Sequence, residues 1–453
     1  MEATMLGEQE IKRIVETVLS ASRADQTEVE VFANDSALTR FANNYIHQNV
    51  EHSDVDVRVR SVIGKKIGIA STNETSLDAL AAVAAKAFEL AEHQRENEDF
   101  RSLPRPAPIT PVEGYVERTA RCGPEERAGV VAQICDASSR AGLTAAGAFH
   151  TTSQEISLAN SLSVYGYHRE TQADINTVVM SETSSGHAAR VSKDVGDIDG
   201  ESVAQEAVDK ALRGVNPRTI EPGEYEVILE PYAVVDLLDF FSYLSFGALA
   251  FMEKRSFMSG RIGERVMDEA VTIWDDGLAA EGLPMPFDYE GVPKQPVSLI
   301  EAGIARGVVW DSYLAGKQGG DTRSTGHALP AGATIGALPL HLFMANGDAA
   351  AADMIKDVKR GIWVSRFWYT RTVHPLNVVV TGMTRDGTFL IEDGKIAGPV
   401  KSMRFTQGYV EALNHVDAVG RDSMLVLGDI GGGVRRVPAL KIGAWNFTGV
   451  SEM

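Results

Sequence analysis

The sequence predicts an α+β fold in two domains, and three observations predict it. A helix, strands, helix order occurs twice before residue 217. The stretch NPRTIEPGEY (216–225) then sets two prolines and a glycine ahead of a strand at Tyr225–Leu229, which makes it the best boundary in the chain. Beyond it, short strands and glycine turns prevail over regular βαβ units. The expected division is a mixed N-terminal domain over 1–217 and a strand-rich C-terminal domain over 218–453.

The first helix is expected over Glu8–Arg23, where Ile11, Ile14, Val15, Val18 and Leu19 share one face at helical spacing. Period two begins at Glu28–Phe32. Val55, Val57 and Val59 alternate with Asp56, Arg58 and Arg60, and Ile63-Gly64-Lys65-Lys66 turns this strand back into Ile67 and Ile69 as a hairpin whose polar face meets solvent or a partner. Asn73 and Thr75 are the expected caps of an alanine-rich helix ending near His93. Four prolines in RSLPRPAPITP (101–111) forbid a helix and predict an extended connector. The second set is a helix over Pro124–Arg140, alternating segments from Ala145 to Met180, and a helix over Glu201–Arg213.

Composition narrows the function classes. The 453 residues carry a net charge of −19, with 62 Asp and Glu against 43 Lys and Arg, which repels nucleic acid and anionic membrane surfaces. Cys122 and Cys135 are the only thiols and match neither a zinc ribbon nor a redox pair, so a reduced, cytoplasmic setting is expected. The start MEATMLGEQEIKRIV shows no basic n-region and apolar h-region. The longest apolar run, Ala233–Met252, contains Asp236, Asp239 and Ser242, which suits a partly buried soluble helix and not a membrane span.

Familiar catalytic motifs are missing. No His is followed by Glu, so neither H-E-x-x-H nor H-E-x-x-x-H occurs. His168-Arg169-Glu170 has the H-x-E spacing of zinc deaminases but no C-x-x-C, and reads as a solvated strand pair. There is no G-x-S-x-G elbow or phosphate loop; Gly428–Val434 reads as a turn, and His415 with Asp417 as a surface pair. The aromatic run GIWVSRFWY (361–369) reads as a strand buried on both faces, not a base-stacking platform.

Four segments in the second half carry a resemblance: RSFMSGRIGERV (255–266), LPMPFDYEGVPKQPVSLIEAGIARG (283–307), STGHA (324–328) and TGMTRDGTFLIEDGKIAGPV (381–400). In that order, together with VRVRSVIGKKIGIASTN (57–73), the chain resembles the TldD/PmbA family over essentially its whole length. The resemblance implies a mixed N-terminal domain and a glycine-rich C-terminal domain. It also implies one of two classes: the TldD type carries H-E-x-x-x-H on a helix and a late cysteine ligand, while the TldE, or PmbA, type lacks them and pairs with a TldD chain in a cytoplasmic peptidase. The corresponding helix here is Asp236–Met252, with Ser242, Ser245, Phe246 and Leu249 in the region of the metal motif, and the late region Asp422–Gly433 has no cysteine.

A hydrolytic zinc needs three protein ligands and one open position, which Phe, Tyr and Leu cannot supply. The resemblance therefore implies a subunit without metal or catalytic residues of its own, with zinc on a TldD-like partner carrying H-E-x-x-x-H and a peptide held along exposed C-terminal strand edges. Arg385 and Asp386 depart from the family's TGDFS-like wording and add charge there. Two other readings stand beside this one. One is an autonomous amide or peptide hydrolase acting as a homodimer, with Ser242, Ser245, His327 or His341 as first suspects, although helix serines commonly bond back to their own backbone. The other is a binding or regulatory protein, in line with the family's older description as a modulator of DNA gyrase.

Overall fold

The computed structural model describes residues 5–450. The first four residues of MEATMLGEQEIKRIV lie outside the described residues. The N-terminal half runs α1 (Glu8–Ala21), β1 (Gln26–Ala42), β2 (Tyr45–Ile63), β3 (Lys66–Thr72), α2 (Leu77–His93), α3 (Glu117–Ala120), α4 (Pro124–Arg140), β4 (Thr144–Asn160), β5 (Tyr165–Met180), β6 (Ser185–Ser192) and α5 (Gly200–Arg213). Its strands form one antiparallel sheet in the order β3-β2-β1-β4-β5-β6, so the two helix, strands, helix units join through β1 and β4.

Side chains alternate across this sheet, and its two faces have different partners. One face carries Val29, Val31, Val57 and Val59 against α1 and α2, and Phe149 and Ile175 against α4 and α5. Pro124 opens α4 at a position that needs no amide donor, and Glu126 reaches back to the Gly123 amide at 2.9 Å. Ser76, not Asn73 or Thr75, caps α2, its hydroxyl accepting from the Ala79 amide at 3.3 Å.

The C-terminal half continues with β7 (Gly223–Leu229), α6 (Pro231–Leu244), α7 (Ala248–Met252), β8 (Ile273–Asp275), β9 (Val297–Glu301), β10 (Ile304–Ala305), α8 (Ser312–Gln318), β11 (His341–Met344), α9 (Ala351–Met354), β12 (Arg360–His374), β13 (Val379–Glu392), β14 (Lys395–Pro399), β15 (Met403–Gly408), α10 (Tyr409–Ala412), β16 (Val416–Leu427) and β17 (Val434–Val450). These strands make a second sheet, and β17 pairs with both β15 and β7. The path β17-β15-β13-β12-β7 therefore returns to β17 and closes a five-stranded ring. Phe367, Phe405 and Trp445 pack together with centroids 4.6 to 5.4 Å apart, which ties β12, β15 and β17 through one aromatic cluster.

Two expectations need correction here. The single helix expected over Ala233–Met252 is broken: α6 ends at Leu244 and α7 starts at Ala248, because the intervening backbone bridges to Val309 through Val309 N to Phe246 O and Ala248 N to Val309 O, each 2.9 Å. The aromatic run is buried on both faces only in its first half, since Trp368 is 42% and Tyr369 63% exposed. Among the described residues no helix is long and apolar enough to cross a membrane.

The second half covers the face of the N-terminal sheet opposite its helices. Phe32, Ile156 and Leu158 pack on Met285, Phe287 and Tyr289. The polar face of the first hairpin is partly covered by the second half: Arg60 bonds Glu290 at 3.3 Å and pairs with Glu28 at 3.1 Å, and the Ala331 amide donates to Glu30 at 2.7 Å, while Asp56 and Arg58 stay partly exposed. His168 is buried as well, its Nε2 3.0 Å from the Pro284 carbonyl, so the H-x-E pair is part of this seam and not a solvated pair. Burial pushes its imidazole down to about 4. His415 and Asp417 are both exposed.

Candidate functional site

Helix α6 organises the ground between the two sheets. Pro231 starts it, and the Glu230 carboxylate just before it accepts from Trp363 Nε1 at 2.6 Å, Ser365 Oγ at 3.0 Å and Lys210 Nζ at 2.7 Å. Next in the helix, Tyr232 donates its hydroxyl to the Ala189 carbonyl at 3.1 Å and accepts from the Ala189 amide at 3.1 Å and from Arg190 at 2.9 Å. These contacts clamp β6 and α5 of the first half to α6 and β12 of the second.

Further along the same helix the carboxylates turn inward. Asp236 accepts from Tyr409 at 2.5 Å and Thr370 at 2.8 Å, yet burial outweighs both bonds and pushes its carboxyl up to about 7. Asp239 accepts the amides of Asp429 at 2.7 Å and Ile430 at 3.1 Å, and faces the buried guanidinium of Arg435 at 3.0 Å. The glycine run is the tight turn expected from the sequence, closed by the Gly428 amide on the Gly433 carbonyl at 3.0 Å. Helix and turn thus meet through amide bonds to Asp239, and β17 adds an ion pair from Arg435.

Above this floor lies a cavity of about 410 Å³ between the sheets, lined by Asn176, His187, Arg190, Tyr232, Arg366 and Trp368 among others. His187 stacks edge-on against Tyr232 at 5.0 Å, and its Nδ1 is buried without a partner. Burial first, then Arg366, Lys210 and Arg190, holds this imidazole well below its ordinary range, so it is neutral. A second cavity of about 690 Å³ lies between residues 180–185 and 383–388. Two outer strands border the first cavity: β6, which pairs with β5, and β16, which pairs with β17 and bridges through Gly420 to Ala349.

The residues singled out from the sequence are scattered around this floor. Ser242 lies on α6 and donates to the Pro339 carbonyl at 2.9 Å, not back to its own helix. Ser245 is buried at the helix break with its hydroxyl unpartnered. Phe246 packs on Phe241 and Phe257 in the core, and Leu249 lines a different cavity of about 430 Å³ beside Arg60 and Glu290.

His327 and His341 do converge, on Asp275: His327 Nε2 is 2.8 Å from one carboxylate oxygen and the His341 amide 2.7 Å from the other. Burial works to raise the Asp275 carboxyl, but His327 and Lys294 outweigh it and hold the group below the usual range. His341 Nδ1 has no partner, and burial pushes that ring down to about 3. Among the described residues neither of these two serine hydroxyls bonds to either imidazole. His187, Arg190, Tyr232 and Trp368 as cleft residues escaped sequence reasoning, because they come from separate segments and form no motif.

Comparison with known proteins gives this architecture its class. Residues 222–449 match the PmbA/TldA metallopeptidase C-terminal domain, and residues 28–91 match PmbA/TldA metallopeptidase domain 1. The chain belongs to the TldD/PmbA family. A metalloprotease of Methanothermobacter thermautotrophicus is 26% identical over 250 residues, 53% of this chain and 52% of that protein. The match thus spans about half the length of that curated relative. The fold agrees closely with crystal structures of TldE from Thermococcus kodakarensis (TM-score 0.89, 20% identity, 97% of this chain and 100% of that one). It also agrees with a protein of Thermotoga maritima described as a modulator of a DNA gyrase (TM-score 0.87, 17% identity, the same coverage).

A metallopeptidase name raises the question of whether this donor set fits a metal. Both Asp239 oxygens are engaged, and Arg435 brings a full positive charge to the point where α6 meets the glycine turn. Among the described residues no three His, Cys, Asp or Glu side chains converge in a way that could hold an ion. The residues do not fit a hydrolytic metal at this junction.

Proposed function

We propose that this chain is the metal-free, TldE-like subunit of a cytoplasmic heteromeric TldD/TldE-type metallopeptidase that processes unfolded or small peptides. Its part is to hold an extended peptide; the zinc and the hydrolytic chemistry belong to a TldD-like partner carrying H-E-x-x-x-H. The observation that carries this reading is the Asp239–Arg435 pair, which commits the α6 carboxylate facing the glycine turn to a guanidinium instead of a metal ion.

Two features support the holding role. The cleft is roomy and bordered by the outer strands β6 and β16, the kind of strand edge along which an extended peptide adds largely irrespective of its side chains. The walls mix aromatic and polar side chains, as peptide-binding surfaces do.

Metal analysis of the purified chain and a fluorogenic peptide assay test the reading together. The expected result is substoichiometric zinc and no cleavage by the chain alone, with cleavage appearing when a family member carrying H-E-x-x-x-H is added. One tightly held ion per chain, or cleavage without a partner, overturns it.

A further inference from the structure

Between the two cleft cavities stands a cationic hairpin segment that the fold itself does not require. Arg366 of β12 and Arg385 of β13 are direct cross-strand neighbours, an arrangement of like charges that costs stability on a sheet. Among the described residues the carboxylate in charge contact with both is Asp386. It is buried and already committed, accepting from Arg366 Nε at 2.6 Å and from Ser185 Oγ at 2.5 Å across the seam.

Arg385 is left over. Its charge contact with Asp386 is 3.8 Å, too long for a hydrogen bond, and among the described residues its guanidinium donates none. It is 44% exposed and lies 5.0 Å from the ring centroid of Trp368. Arg366 lies at the same distance from that ring. Trp368 lines the first cavity and Arg385 the second, so the pair stands where a ligand running through the cleft would pass. Deeper in, Arg190 and Lys210 are already paired with Glu206 and Glu230, so they leave little charge over for a ligand. Acidic side chains, Asp174 and Asp429 in the first cavity and Glu182 in the second, balance the other cations, so the pull on an anion here is that of the uncommitted Arg385 itself.

We propose that Arg385, backed by Trp368, is a carboxylate-binding subsite that makes this cleft prefer anionic peptides. Stacking on the indole holds the guanidinium plane, and its free donors fit a carboxylate in two-point geometry. The carboxylate comes from a peptide's C-terminus or from an Asp or Glu side chain. This inference rests on the cleft being a peptide-holding site and adds what it selects.

The test is fluorescence anisotropy with the full chain and three labelled, otherwise neutral peptides of one sequence: a free C-terminal acid, its C-terminal amide, and the amide with one internal Glu. The acid, the Glu peptide or both should bind more tightly than the plain amide, and which of them does identifies the source. Arg385→Gln, an exposed change, should weaken the favoured peptide by about tenfold to a hundredfold and leave the plain amide unchanged, with Arg385→Lys intermediate. Equal binding of all three peptides, or no effect of Arg385→Gln, overturns the subsite while leaving the peptide-holding role standing. Binding of none of the three overturns both.

Discussion

Asp239 on helix α6 and Arg435 on strand β17 face each other across 3.0 Å, both almost wholly buried. The contact is one of charge more than of hydrogen-bond alignment, since Asp239 Oδ1 and Arg435 Nε lack a well-directed bond. Such pairs are costly to break and cheap to replace, because removing one partner leaves the other charged and dry.

Asp239→Ala is therefore expected to lower the unfolding free energy by about 3–5 kcal/mol. The double change Asp239→Leu with Arg435→Met should recover only part of that loss, because the Asp429 and Ile430 amides stay without their acceptor. Urea denaturation of the three proteins checks it; a loss below about 1 kcal/mol in the single variant would remove the pair from the structural account.

The seam beneath the N-terminal sheet should make stability fall on the alkaline side. Burial, with mutual repulsion, pushes Glu28 up to about 8 and Glu30 and Asp288 up to about 7, even with Arg60 among them. A carboxyl whose folded value is raised favours the folded state most when both states are protonated, below its unfolded value, and loses that advantage as pH climbs through the folded value. The buried His168 and His341, pushed down, act only below about 6.5, where the unfolded chain takes up protons. Between pH 6.5 and 8 the carboxyls act without them. The thermal midpoint should drop across that window, with Glu28 accounting for about 2 kcal/mol, and Glu28→Gln should flatten the slope. A midpoint rising from pH 6.5 to 8 contradicts the assignment.

Two glycines should tolerate no side chain. A Cβ on Gly247, in the break between α6 and α7, would sit 2.3 Å from the Ala337 carbonyl oxygen; one on Gly433 would sit 2.2 Å from that of Leu340, and there φ is +80°. Gly247→Ala should cost about 1–3 kcal/mol, and Gly433→Ala about 1–2 kcal/mol more from the left-handed backbone. Chemical denaturation ranks them, and equal losses would mean that the turn relaxes.

Local chemistry was legible in the sequence where it decides structure alone. Pro124 and Arg140 bound α4 as expected, and the hairpin from Val55 to Ile69 turns at Gly64 with φ +61°. The cap of α2 was misassigned because Asn73, Thr75 and Ser76 all carry a suitable oxygen, and only the path of the chain decides which one reaches the Ala79 amide. The break after Leu244 was hidden because the run is apolar throughout, and the interruption comes from a bridge to Val309, far away in sequence.

The candidate site was less legible for the same reason. Sequence inspection found no ligand motif on α6, but not that Asp239 and Arg435 fill the junction, since 196 positions separate helix from strand only in the sequence numbering (435 − 239). Trp368 sits inside an aromatic run that reads as core, and its exposure depends on where β12 leaves the packed part of the ring. Arg385 did stand out as added charge, but its stacking on Trp368 required the β12–β13 register.

Ring closure sets a schedule for the ribosome. Strand β7 comes first in the C-terminal half and lies between β12 and β17, so both its neighbours are translated long after it, the second ending only at Val450. Until then the apolar residues Val227, Ile228 and Leu229 have no permanent cover, and the nascent polypeptide carries an unsatisfied strand for the time it takes to make more than 200 residues. Shielding by a chaperone, or by the already finished first half, is the price of building a sheet whose opening strand waits for its closing one.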